Sequence, residues 1–279
     1  MGKTTNNGSK KPTVGIMYFT SCGGCQCEIL THANLLKKLV DLVEIKYFPM
    51  GSSNNTLETD FDIIFIEGSV STDHDLELLH IARERSKILV AVGTCACFGG
   101  VQSSKNAESS LNEMLRYVYG DKIPTVVKAL KPKPLKEYVK VDYELPGCPV
   151  SGKDFVLAVQ YLLNGLDPFL PKMAVCYECK QAQTPCRLQA SYMCVGSLSN
   201  AGCGAPCTFK GLGCYGCRGD HEDPNYKELV KLFRQKGYSD RDIYNFVKVF
   251  RGNYVREKLL PYLDLDIPLP EDEKPKEVN

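Results

Sequence analysis

Residues 61–100 read FDIIFIEGSVSTDHDLELLHIARERSKILVAVGTCACFGG. Phe61–Glu67 (FDIIFIE) is almost continuously apolar, the pattern of a strand buried on both faces of a parallel sheet. Asp73 to Arg85 is predicted as a helix, capped by Ser71 or Thr72. Lys87–Val92 (KILVAV) is the next strand, and it runs into the glycine-bounded loop Gly93-Thr94-Cys95-Ala96-Cys97-Phe98-Gly99-Gly100. Strand, helix and strand in this order make one right-handed parallel unit.

The same alternation extends both ways. Upstream, Val14–Thr20 (VGIMYFT) is a strand that ends at Ser21-Cys22-Gly23-Gly24-Cys25. A helical stripe follows from Glu28 to Val40 through Ile29, Leu35, Leu36 and Leu39, then a strand at Val43–Phe48 and a polar loop from Gly51 to Asp60. Downstream come a helix from Ala107 to Tyr119 and a strand at Val139–Leu145 that ends at Pro146-Gly147-Cys148-Pro149. A helix from Ser151 to Leu163, with Ser151 as its cap, completes the series. The fold class is therefore α/β, an open and mostly parallel doubly wound sheet. Such sheets place their sites beyond the carboxyl ends of the strands. Cys22 and Cys25, Cys95, and Cys148 each follow a strand, so three loops far apart in sequence bring four thiols to one edge.

Past Pro168 and Pro171 the pattern changes. Cys176 to Cys217 reads CYECKQAQTPCRLQASYMCVGSLSNAGCGAPCTFKGLGCYGC, with cysteines spaced C-x2-C-x6-C-x7-C-x8-C-x3-C-x6-C-x2-C. Its apolar residues follow neither a helical nor a strand period, and its glycines permit tight turns. Eight thiols without a core of their own need an inorganic or covalent centre. Disulfides, two structural zinc sites and two 4Fe–4S clusters all fit this stretch taken alone. The four strand-end thiols bear on that choice. A zinc knuckle is local in sequence, whereas a site assembled by a whole fold favours a buried redox cluster.

The remaining composition narrows the class. The chain has 279 residues, 14 of them cysteine, and a formal net charge of +1, which implies no nucleic-acid footprint. No apolar run reaches the length of a membrane span. The first twelve residues, MGKTTNNGSKKP, lack the apolar stretch of an export signal and a twin arginine; a flexible tail and a reducing, cytoplasmic setting are expected. Beyond residue 220, helices are predicted over Tyr226 to Gln235 and Ser239 to Phe250, the second opening on a sequence close to a capping box. The charged, proline-rich end PLPEDEKPKEVN is expected to be mobile.

Four motifs now line up: SCGGC after the first strand, IEGSVS at 66–71, GTCACFGG at 93–100 and PGCP at 146–149. With AGCGAPC and GCYGCRG in the cysteine-rich stretch, residues 13 to 220 resemble the small subunit of nickel–iron hydrogenases. The likeness is strongest to the multisubunit cytoplasmic group that couples dihydrogen to NAD(P), a deazaflavin or a heterodisulfide partner, the sulfhydrogenase delta-like and methyl-viologen-reducing gamma-like subunits. The resemblance implies a flavodoxin-like domain over residues 13–168 with a proximal 4Fe–4S cluster on Cys22, Cys25, Cys95 and Cys148. It implies a cysteine-rich domain over 169–220 with two further clusters, a distal one on Cys176, Cys179, Cys186 and Cys194 and a medial one on Cys203, Cys207, Cys214 and Cys217. Residues 221–279 would form a helical segment and tail. Membrane-bound relatives carry histidine where this chain has Cys176 and proline where it has Cys207. The first difference implies an all-cysteine distal site, and the second a four-iron rather than a three-iron medial cluster.

By the same resemblance, the nickel–iron site lies in a large partner subunit and no catalytic residue lies in this chain. Its function is to conduct electrons through three 4Fe–4S clusters to a further iron–sulfur, flavin or heterodisulfide-linked acceptor subunit. A zinc-stapled scaffold without redox function is the alternative from another class. A complex I-like quinone-reductase subunit is a narrower one, although such subunits have adjacent cysteines in the first motif and lack the two-cluster tail. Cys27 and Cys97 are expected as buried structural thiols. His32, His74, His80 and His221 lack a paired spacing, and Gln26 and Cys27 separate Glu28 from the second motif cysteine, unlike the closer acidic residue of many relatives. Lys131–Lys136 (KPKPLK) is expected as a solvated loop.

Overall fold

The computed structural model describes residues 11–273 except 32–36, 38, 39 and 127. Leu35, Leu36, Leu39 and His32, most of the expected N-terminal tail and the last six residues lie outside the described residues. The described residues include seven strands: β1 (Thr13–Tyr18), β2 (Glu44–Tyr47), β3 (Phe61–Glu67), β4 (Val70–Thr72), β5 (Ser86–Val92), β6 (Ala129–Lys133) and β7 (Tyr143–Leu145). Five of them form one sheet in the order β2-β1-β3-β5-β7, with every pairing parallel. The order reverses direction at β1, as in flavodoxin-like folds.

The apolar runs are explained by two-sided burial. Along β3, Ile63 and Phe65 face one layer while Ile64 and Ile66 face the other. On the first side lies the helix Gly152–Leu163, with Phe155, Val159 and Leu162 against the sheet and the rings of Phe65 and Phe155 at 4.7 Å. Truncating a phenylalanine so placed costs about 3–5 kcal/mol. On the second side lies the helix Asp73–Glu84, which buries Leu79 and Ala82. Thr72, not Ser71, caps that helix, and a capping box closes through Asp75. Ser151 caps the Gly152–Leu163 helix as expected.

Three local expectations need correction. KPKPLK is not simply a solvated loop: β6 takes its first half and pairs antiparallel with β4. Lysine and proline disfavour a strand interior, but a two-stranded ribbon at an edge tolerates both. Lys131 pairs with Asp272, and Lys136 with Glu144. The helix expected from Ala107 begins only at Leu111, because Ser110 closes a capping box with Glu113. GTCACFGG is a short helix, Gly93–Phe98, rather than an open loop.

Beyond the sheet, the cysteine-rich stretch contains two short helices, Val175–Gln181 and Pro206–Phe209. Helices Tyr226–Gln235 and Asp240–Val247 follow, the latter with a capping box between Ser239 and Asp242. They form a separate core in which Leu229, Phe233, Ile243 and Val247 pack with Val195 and Leu198 of the cysteine-rich stretch and with Ala107. Arg251, fully buried, donates to Asp220 and Ser199 and locks the last segment onto that stretch. None of the described helices is long and apolar enough to cross a membrane.

Candidate iron–sulfur centre

Because β1, β3, β5 and β7 are adjacent, the loops at their carboxyl ends lie side by side. Cys22 follows β1, and Cys25 sits one turn on, in the helix Gly24–Thr31. Cys95 lies in the short helix after β5, and Cys148 follows β7. Cys25 is buried, Cys95 half-buried, and Cys22 and Cys148 are exposed. The Val150 amide donates to Cys25 Sγ at 3.4 Å. Two glycines make the room. A Cβ on Gly93 (φ +80°) would stand 2.4 Å from Cys25 Sγ, and one on Gly100 (φ +69°) 2.5 Å from Cys95 Sγ.

Electrostatics show which thiols are neighbours. Burial, followed by the charge of Glu67, pushes the Cys25 thiol far above its ordinary range, with Cys95 and Cys148 adding to the rise. Cys95 is raised chiefly by burial and then by Cys22 and Glu67. Burial pushes Cys148 up to about 12, with Cys217, Cys95 and Cys22 contributing. A thiolate in such surroundings needs a cation bound to it, and metal coordination deprotonates a thiol outright. β3 supplies the fourth wall. Glu67, 3% exposed, accepts hydrogen bonds from the amides of Cys25 and Gln26, both at 3.2 Å. Burial raises its carboxyl pKa, and these two amides pull it down.

The other eight thiols also lie near one another. Burial pushes Cys176 up to about 11, and the further charges that raise it are those of Cys194, Cys179 and Cys186. Burial pushes Cys203 up to about 11, with Glu178 and Cys217 raising it further. Cys214 is raised by burial, then by Cys194, Cys217 and Cys203, and Cys217 by burial and by Cys207. One backbone contact links two of the groups: the Cys214 amide donates to Cys194 Sγ at 3.2 Å. A cavity of ≈ 650 Å³ is lined by Cys148, Cys203, Cys207, Cys214 and Cys217. Among the described residues no three His, Cys, Asp or Glu side chains close on a point that a single metal ion could occupy.

Several side chains around these thiols gave no sequence signal. Gln102 accepts from Cys95 Sγ at 3.6 Å and donates to Thr20 O and Ser69 Oγ, tying three loops together. Thr94 Oγ1 donates to the Cys217 carbonyl. Glu178 accepts from the Gly202 and Gly204 amides at 2.8 and 3.1 Å. Only Glu67 could have been found, as a carboxylate that ends an otherwise apolar strand. Cys97 is fully buried and points its thiol at Ala91 O, as expected. Cys27 is exposed, contrary to expectation: two residues turn a helix by about 200°, so burying Cys25 turns Cys27 outward. His74 and His80 are exposed, and His221 bridges Ser197 O and the Asp223 amide. Glu28 lines the cavity beside Cys148.

A parallel sheet whose strand ends gather four thiols, joined to a stretch carrying eight more, defines the electron-transfer, iron–sulfur subunit of an oxidoreductase. The family described as NADH ubiquinone oxidoreductase, 20 Kd subunit, matches residues 22–162. The chain is 38% identical over 223 residues to the sulfhydrogenase 2 subunit delta of Pyrococcus furiosus, covering 80% of this chain and 92% of that one. It is 35% identical to a vhu subunit of the F420-non-reducing hydrogenase of Methanocaldococcus jannaschii, over 74% of this chain and 81% of that one. A chain of an NAD+-reducing [NiFe]-hydrogenase in the H2-reduced state superposes with a TM-score of 0.54 at 28% identity, over 58% of this chain and 96% of that one. The chain belongs to the small subunits of nickel–iron hydrogenases, in the group that includes these relatives. It is a subunit of a hydrogenase complex and carries electrons beside a large subunit.

Proposed function

We propose that this chain conducts electrons between the nickel–iron site of the large subunit and an acceptor subunit through three 4Fe–4S clusters. Cys22, Cys25, Cys95 and Cys148 would hold the proximal one. Cys203, Cys207, Cys214 and Cys217 would hold the medial one, and Cys176, Cys179, Cys186 and Cys194 the distal one. When bound, these clusters supply one-electron carriers whose potentials follow net charge, burial and hydrogen bonds to sulfur. The observation that carries the proposal is the gathering of Cys22, Cys25, Cys95 and Cys148 at the carboxyl edge of one sheet, with the eight later thiols tied on through Thr94 at the Cys217 carbonyl and the Cys214 amide at Cys194 Sγ. The division into a flavodoxin-like domain over 13–168, a cysteine-rich domain over 169–220 and a helical segment over 221–279 follows from the same groups, and a cytoplasmic setting suits so many reduced thiols.

The acceptor subunit docks where Cys186 is exposed. Between residues 176 and 217 the sequence has one carboxylate, Glu178, which is turned inward. Lys180 and Lys210 are exposed around Tyr177, Tyr192, Phe209 and Leu212, which are all more than half exposed. An acceptor with an acidic, partly apolar surface fits this face. The complex I-like alternative is disfavoured because the matching family ends at residue 162, before the eight later cysteines. The test is iron and acid-labile sulfide on the complex purified without air. About twelve of each per chain is expected, at four per cluster. Eight irons would remove one whole four-cysteine group, and a three-iron signal would remove Cys207 from the ligand set.

A further inference from the structure

Arg218 follows Cys217 in sequence and is only 4% exposed. Its Nε donates to the Ala201 carbonyl at 2.8 Å, two residues before Cys203, and its Nη1 to the Pro146 carbonyl at 2.9 Å, two residues before Cys148. Gly202 (φ +109°) leaves it space, since a Cβ there would stand 2.6 Å from Nη2. One guanidinium therefore clamps the loop of Cys148 to the loop of Cys203. Carbonyls satisfy its donors but leave its charge intact. The carboxylate beside it, Asp154, stands at 3.4 Å and is 32% exposed. Glu178 lies on the same group, its Oε2 accepting from Cys203 Sγ at 3.7 Å. Arg251, the other buried arginine nearby, is closed off differently, by a 3.0 Å pair with the well-buried Asp220.

We infer that Arg218 sets the reduction potential of the iron–sulfur group on Cys203, Cys207, Cys214 and Cys217, by holding a buried positive charge against it that Asp154 partly offsets. The inference rests on the ligand set proposed above. Adding an electron makes the group more negative, and a fixed cation in a weakly polarisable interior favours that state. A guanidinium stays charged at any pH the protein survives. Its role is to position and to charge; it transfers nothing.

The test is a redox titration of the whole complex followed by electron paramagnetic resonance, with iron counted in each preparation. Arg218→Gln is expected to move the potential of this one group to more negative values, and Arg218→Lys to restore most of the shift. Asp154→Asn, which leaves both carbonyl bonds in place, is expected to move it the opposite way. Unmoved potentials in Arg218→Gln and Asp154→Asn at full iron content, or shifts of the same sign, overturn the inference. Should Arg218→Gln lose iron, Asp154→Asn decides alone, and the absence of a positive shift overturns it. The ligand set is tested separately: a Cys203→Ala complex with full iron and all signals refutes that set rather than the role of Arg218.

Discussion

Gly93→Ala tests whether glycine makes the room for the proximal thiols. The added methyl would stand 2.4 Å from Cys25 Sγ. Ordinary contacts lie near 3.5–4.0 Å, so thiol or backbone must move by more than ~1 Å. The residue also has φ +80°, which costs a side chain about 1–2 kcal/mol. Forcing an extra carbon into a packed site adds about 1–3 kcal/mol. The sum, about 2–5 kcal/mol, is a large part of a typical domain's stability of about 5–15 kcal/mol. Gly165→Ala is the control, because Gly165 has φ +67° and a methyl added there would meet nothing within 4 Å. It carries the backbone cost alone. Both variants are made in the full complex and compared by thermal unfolding and by iron per chain. Gly93→Ala is expected to unfold earlier than Gly165→Ala and to lose about four irons, one cluster's worth. Equal unfolding temperatures with full iron in both would refute the claim that Gly93 is there to admit Cys25.

Three further outcomes are expected. Cys97→Ala keeps every iron and costs about 1 kcal/mol of stability, while Cys27→Ala changes neither; loss of four irons in either variant would shift the first or second motif by two residues. Asp142, 17% exposed, accepts from Arg83 Nη1 at 2.6 Å and from the Leu89 amide at 2.9 Å, and its carboxyl pKa is lowered by these bonds against the cost of burial. Asp142→Asn should cost on the order of 1–2 kcal/mol. A folded pKa below the unfolded one gives stability that is complete above the unfolded value and lost only as pH falls through the folded one, so the cost should be constant from pH 8 to about pH 5; a cost that fades within that window would exclude this pairing as its source. Finally, an obligate interface with the large subunit, of more than about 2,000 Å², should cover the loops at Cys22–Cys25, Glu67–Ser71, Cys95–Gly100 and Cys148, and hydrogen exchange there should slow sharply between the isolated chain and the complex. Equal exchange in both states would place the large subunit elsewhere.

The sheet was legible because its causes are local. FDIIFIE and KILVAV are short runs with few polar positions, the pattern of strands covered on both faces. Once the strands are known, parallel topology alone brings Cys22, Cys95 and Cys148 to one edge. What could not be read depends on partners distant in sequence. Gln102 meets Thr20 across 82 residues, and Arg218 meets Pro146 across 72. The strand β6 contains Pro132 and two lysines, so its own composition argues against it, and only the distant β4 gives it a partner. Cys27 was misread for a different reason. Free cysteine is usually buried, but the helix that carries it had already committed its inward face to Cys25 and Ile29.

The order of the thiol groups in space is not their order along the chain. Counting outward from the sheet, Cys176–Cys194 comes first in sequence, yet the contacts with the sheet come from the later group. Cys148 lines one cavity with Cys217, and Thr94, beside Cys95, reaches the Cys217 carbonyl at 2.5 Å. Arg218 adds a third tie at the same place. The earlier group is tied to the later one through the Cys214 amide on Cys194 Sγ and through Thr208 on Cys179 Sγ at 3.0 Å. The chain therefore runs out to the exposed Cys186 first and returns to the sheet afterwards. A direct consequence is that disturbing the return, by replacing Thr94 or Arg218, should weaken the link between the sheet's thiols and both outer groups, whereas disturbing Thr208 should touch only the outermost. Steady-state reduction of the three proposed clusters by dihydrogen, followed by their reoxidation rates in Thr94→Val and Thr208→Val complexes, separates the two. Slower reoxidation of the outermost group alone in Thr94→Val would show that the sheet communicates with Cys176–Cys194 by another route.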